Sequence, residues 1–206
     1  LKGSDPVTTI SQVADQIGEH ICKQSGMESE LKKICFGIEV IMVMLISIII
    51  TIVFGAVFGL FAETSIVISS ALLVKFLIGG PHLSGFFRCL IYSVALILVG
   101  AWFCHIYPVW LNQDIALLLG LFVLTILIGM RLLPSYRTLK RKQVITRKIV
   151  VGFMMFCYTI LYIYDPNLFY AGALIGISIS ILNTSPVGVN FTKWLEWITK
   201  KGGAVQ

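Results

Sequence analysis

The sequence predicts an all-α polytopic membrane protein with six transmembrane helices, amphipathic helices before and after them, and both termini in the cytoplasm. Three observations carry this. Of 206 residues, 57% are hydrophobic and only 13% charged, and the mean hydropathy is +0.92, far from the composition of a soluble domain. Six charge-poor stretches follow one another at 38–62, 64–78, 90–107, 115–130, 149–164 and 168–182. A straight span needs about 20 residues to cross a core of ~30 Å, so the first is ample and several others must use flanking residues or thinned bilayer.

The third observation is the placement of the net charge of +6. The connections near Glu63, Asp114 and Asp165 hold no Lys or Arg. The opposite set holds Lys23, Lys32 and Lys33, then Arg88, then seven basic residues between 131 and 148, then Lys193, Lys200 and Lys201. By the positive-inside rule that set is cytoplasmic, and the break around residues 79–89 lies with it. Span count and charge alternation are independent readings, and they agree.

Taken in order, the expected organisation is an amphipathic segment at 1–35, a six-helix domain at 36–188 and an interfacial helix with its tail at 189–206. Residues 1–4 read as a cloning remnant. No cleavable signal peptide is expected, because residues 1–35 are mixed and polar, so the first span acts as its own signal. Val7, Ile10, Val13, Ile17 and Ile21 recur in steps of three and four, the spacing of an amphipathic helix that either lies on the inner leaflet or packs under the bundle.

The first span opens on Phe36-Gly37-Ile38-Glu39. A carboxylate there either has a partner or rests at headgroup level near the positive end of its helix. Lys75, near the inner end of the second span, reaches the interface by snorkelling. Pro108, Pro134, Pro166 and Pro186 fall at expected helix ends. The stretch 131–148 contains Arg131, Arg137, Lys140, Arg141, Lys142, Arg147 and Lys148 and no acid. It suits attraction to anionic lipid, or docking of an acidic peptide. Without interleaved aromatics it is a poor nucleic-acid surface. In the last segment Trp194, Leu195, Trp197 and Ile198 alternate with Lys193, Glu196, Lys200 and Lys201, as in a helix lying at an interface.

Chemistry concentrates in Gly79-Gly80-Pro81-His82-Leu83-Ser84-Gly85-Phe86-Phe87-Arg88-Cys89, where the helical pattern fails. A thiol and an imidazole are the minimum parts of a cysteine nucleophile. On one straight helix His82 and Cys89 would lie about 10.5 Å apart along the axis, too far to bond. Gly79, Gly80, Pro81 and Gly85 provide the bend that a dyad requires, and a trans arrangement across a dimer would also meet the geometry. The start of the third span and Arg88 both favour negative charge on the Cys89 sulfur. Unpaired amides of the Gly79-Gly80 turn are candidate oxyanion donors.

The competing reading makes His82 and Cys89 structural, in a small transporter or peptide exporter. Against a transporter, the ionisable groups cluster near the expected surfaces rather than the midplane. Two ligands do not make a tetrahedral metal site, so no metal is expected, and no nucleotide fingerprint or other cofactor motif is present. Cys104-His105 is a decoy, since adjacent residues on a helix point apart; it reads as part of an outer aromatic belt with Trp102, Tyr107 and Trp110. Five cysteines without a C-x-x-C pair provide no disulfide framework and no paired redox motif.

Lys75, Gly79-Gly80-x-His82, six residues, then Cys89-Leu90 resembles the accessory gene regulator B family, the membrane peptidases of Gram-positive quorum sensing. The Phe36-Gly37-Ile38-Glu39 entry, Leu133-Pro134 with the basic stretch after it, and Thr184-Ser185-Pro186-Val187-Gly188 fit as well. The resemblance implies that Cys89 is the nucleophile and His82 its partner, with Glu39 and Gly80 supporting. The family commonly has arginine where this chain has Lys75, and Arg and Lys differ in bidentate binding. It further implies a homodimeric enzyme of the bacterial plasma membrane that needs no cofactor. Its partner would be a small cysteine-containing precursor peptide with an amphipathic leader. The enzyme would remove that peptide's C-terminal tail and allow closure of a thiolactone autoinducer, with Arg131, Arg137, Lys140, Arg141 and Lys142 holding the acidic tail.

Overall fold

A computed structural model describes residues 6–26, 30–78, 86–129 and 141–201, which form nine helices and no strand. They are α1 (Pro6–Ser25), α2 (Leu31–Val57), α3 (Phe61–Ile78), α4 (Phe86–His105), α5 (Tyr107–Trp110), α6 (Gln113–Gly129), α7 (Arg141–Tyr164), α8 (Leu168–Thr184) and α9 (Pro186–Lys201). By length and composition, α2, α3 and Ile145–Tyr164 of α7 are able to cross a membrane. The pair α8 and α9, bent by 68°, adds a fourth candidate if counted as one span. Cys89–His105 and Gln113–Gly129 are shorter apolar helices.

The first helix pair ends earlier than the charge pattern predicts. Gly59 adopts φ +71°, its amide bonds to the Ala56 carbonyl at 3.0 Å, and the Leu60 amide bonds to the Gly55 carbonyl at 2.7 Å. This is a Schellman closure with glycine in the left-handed position. Hydropathy alone runs through such a turn, because Phe58 and Leu60 are apolar. Glu63 therefore belongs to the first turn of α3 rather than to a connection.

The chain divides into two units, Leu1–Ile50 and Thr51–Gln206. In the first, α1 buries Ala14, Gly18 and Cys22, a stripe with a step of four. A Cβ on Gly18 would collide with Cys35 Sγ of α2, so the two helices meet through small residues. Ile17 and Ile21, of the apolar series that the sequence placed either on the inner leaflet or under the bundle, are exposed in this unit.

In the second unit α8 is the central helix, with every residue from Ala171 to Ser178 buried. Its glycines bring it against α3: a Cβ at Gly172 would meet Ile66, and one at Gly176 would strike Ser70 Oγ and the Val67 carbonyl. Ser180 donates across the seam to the Ala71 carbonyl at 3.1 Å. Small-residue contact of this kind is how apolar helices pack where surrounding lipid removes the hydrophobic incentive. Gly100 of α4 faces Ile179 and Val67, and Gly120 of α6 faces Thr159 of α7. Buried Tyr162 donates to the Leu111 carbonyl, fixing α7 to the segment after α5. Asn167 caps α8 by accepting from the Tyr170 amide at 3.1 Å.

Candidate active site

Cys89 stands in the opening turns of α4, half-buried, beside buried Leu90. The first amides of a helix have no intrahelical acceptor and point at whatever precedes the helix, so a group here sits in a field that favours negative charge. Arg88 is helical in the same turn. Gly79, Gly80 and His82 lie outside the described residues, as do Arg131, Arg137 and Lys140. Arg141 and Lys142 open α7.

α3 leads toward the break from the other side. Lys75 is half-buried in its last turn, and Ile78, its final residue, is fully buried. Arg147 Nη1 donates to the Leu77 carbonyl at 3.4 Å, giving one of the orphan carbonyls at the end of α3 a partner. Arg147 counted in the sequence only as one charge among seven.

One turn into α4 from Cys89, the Tyr92 hydroxyl donates to Asn183 Oδ1 at 2.7 Å. The Tyr92 ring lies 6.3 Å from that of Phe191, which is itself stacked on Trp194 at 5.7 Å. The sequence reading passed over this contact. The signal was a side-chain amide in an otherwise apolar helix, which is costly unless bonded.

Glu39 belongs to the first unit. It is half-buried on α2 and lines a cleft of about 340 Å³ with Asp15, Glu19, Leu31, Lys32, Cys35 and Phe36.

At the other end of α4, about 24 Å along the axis from Cys89, His105 Nδ1 lies 2.8 Å from Glu63 Oε1. The neighbouring Cys104 is buried, its Sγ 3.9 Å from the Leu168 carbonyl. The two adjacent residues do point apart, and His105 is the hydrogen-bond partner of Glu63. A groove of about 470 Å³ beside it is lined by Phe58, Leu60, Leu98, Val99, Trp102 and His105. All five cysteines are free thiols. Among the described residues no group of three His, Cys, Asp or Glu is placed to hold a metal.

The family model of accessory gene regulator B matches residues 11–184. No curated protein and no solved structure matches the chain.

Proposed function

The chain belongs to the accessory gene regulator B family, which acts on a signalling precursor peptide at the membrane, and from that premise we propose that it is a cysteine endopeptidase with Cys89 as nucleophile. In this reading His82 is the general base and acid, and six helices span the membrane with both termini and the site on the cytoplasmic side. α1 and α9 lie along the inner leaflet.

The Cys89 sulfur attacks a carbonyl carbon near the C-terminal end of the precursor after giving its proton to His82. The tetrahedral oxyanion is held by amides at the start of α4 or in the glycine turn. On collapse the peptide C–N bond breaks, and His82 returns the proton to the leaving amine, so the tail departs and the remainder stays on Cys89 as a thioester. A thiol within the precursor then attacks that thioester, its proton passes through His82, and Cys89 leaves as the ring closes. One thioester replaces another, so no ATP is required. Water would divert the intermediate to hydrolysis, which a site at an apolar membrane edge resists. The basic residues Arg131, Arg137, Lys140, Arg141 and Lys142 would hold an acidic tail, Glu39 and Lys75 would support the site, and a homodimer is the expected assembly.

The observation that supports this most is the place of Cys89: half-buried, in the opening turns of a helix, directly after the glycine break that carries His82. The test is mass spectrometry of purified protein in lipid vesicles, mixed with the cysteine-containing precursor encoded beside its gene, with Cys89→Ala and His82→Ala as comparisons. A released tail and a ring lighter by the tail, both lost in each variant, are expected. Intact precursor with folded wild-type protein across several precursors and lipids would reject the peptidase reading in favour of an exporter.

A further inference from the structure

The opening turns of α4 are tied by one side chain to the far end of the chain. Tyr92 follows Cys89 by three residues, so the two share a face of α4 with Cβ atoms about 5–6 Å apart. Its hydroxyl is 2.7 Å from Asn183 Oδ1 in the last turn of α8, and its ring contacts Phe191 of α9. Between those two partners lies the elbow at Ser185–Pro186, where the chain bends by 68°.

The elbow is itself well bonded. The Ser185 amide bonds to the carbonyls of Ile181 and Leu182 at 2.9 and 3.1 Å, and Ser185 Oγ donates to the Leu182 carbonyl at 2.6 Å and accepts from the Gly188 amide at 3.3 Å. A Cβ on Gly188 would strike the carbonyls of Asn183 and Leu182, so the turn tolerates only glycine without moving. At the start of α4 the first amides have no acceptors within the helix, and terminal turns are where helices fray. Asn183 is therefore a fixed acceptor, and Tyr92 transmits its position to the helix start.

We infer that Tyr92 is a positioning residue for Cys89, holding the opening turns of α4 against the rigid α8–α9 elbow so that the sulfur keeps one location. The inference rests on Cys89 being the nucleophile proposed above. It assigns a role to the Thr184-Ser185-Pro186-Val187-Gly188 segment: the anchor for the helix that bears the nucleophile.

The test uses the full chain in lipid vesicles and three variants: Tyr92→Phe, which keeps the ring and its contact with Phe191, Asn183→Leu, which removes the acceptor, and the double variant. Alkylation of each cysteine by N-ethylmaleimide is followed by peptide mass mapping, and precursor turnover is measured alongside. Loss of the anchor lets the helix start open. Cys89 is then alkylated about three- to tenfold faster in either variant, the range set by one net hydrogen bond, with no further gain in the double variant. Buried Cys104 keeps its wild-type rate, and kcat falls while KM stays within about twofold.

A wild-type alkylation rate at Cys89 in Tyr92→Phe overturns the inference. So do effects that multiply in the double variant, or faster labelling of Cys104 as well, since those describe separate defects or a loosened bundle. Should Asn183→Leu not fold, Tyr92→Phe decides alone. Alkylation needs no substrate, so faster Cys89 labelling beside a wild type that processes no peptide would uphold the anchor and reject the peptidase reading.

Discussion

His105, the last residue of α4, and Glu63, in the first turn of α3, meet with Nδ1 and Oε1 2.8 Å apart. The carboxylate is buried and the imidazole more than half exposed, with side-chain exposures of 11% and 56%. Glu63, an acid in the first turn of α3, also complements the positive end of its own helix. A buried carboxylate without a partner would be costly, so the pair pins the end of one apolar helix to the start of another.

Substituting His105→Ala should cost about 1–2 kcal/mol, less than a fully buried ion pair because the imidazole is open to solvent. Glu63→Gln should cost less than His105→Ala, since the amide oxygen still accepts from Nδ1–H. Thermal unfolding in detergent would compare the two. Equal melting temperatures for His105→Ala and wild type would remove the pair from the account of stability.

Two glycines, one at the α3–α8 seam and one on α2, should respond to alanine in opposite ways. Gly176→Ala places a methyl against Ser70 Oγ and the fixed Val67 carbonyl, so the helices must part, costing about 1–3 kcal/mol. Gly37→Ala on α2 meets nothing within 4 Å and removes backbone freedom from a helix, so it should be neutral or stabilising by up to about 1 kcal/mol. Urea titrations of both variants would check the sign; a neutral Gly176→Ala contradicts the close approach of the helices.

At the turn between α2 and α3, Gly59→Ala forces a side chain into the left-handed region and should cost about 1–2 kcal/mol. Gly129→Ala, with open space and no positive φ, is the matched control. Hydrogen exchange at Phe58 and Leu60 should quicken in the first variant alone.

Arg147 reaches the Leu77 carbonyl from α7, just ahead of the glycine break. Arg147→Lys keeps the charge but loses the planar donor, and Arg147→Gln loses the charge while keeping a donor. If the cap at the end of α3 matters, both should quicken hydrogen exchange in the last turn of α3; if only charge matters, the lysine variant will behave as wild type.

Much of this architecture was readable before any coordinates. The six charge-poor stretches fall on α2, α3, α4, α6, α7 and α8, the first running past α2 through the turn at Gly59; Pro6–Ser25 and Pro186–Lys201 are amphipathic helices near the two ends, and Cys89 falls in the opening turns of α4 after a glycine break. These are properties of contiguous residues: hydropathy, periodicity and helix-stopping glycines act over one or two turns, so a linear reading captures them. The elbow at Ser185–Pro186 was legible as a helix end, but its angle was not.

What the tertiary structure decided is which helix faces which. The buried stripe of α1 is Ala14, Gly18 and Cys22, although hydropathy favoured the isoleucines, because close approach to Cys35 needs small residues. Glu63 found His105 across 42 positions, and Tyr92 found Asn183 across 91. In an apolar chain nearly every helix face is hydrophobic enough to be buried or to meet lipid, so composition leaves the pairing open. Steric fit at glycines and serines, and the need of each buried polar group for a partner, settle it, and both depend on residues that are neighbours only once the helices have packed.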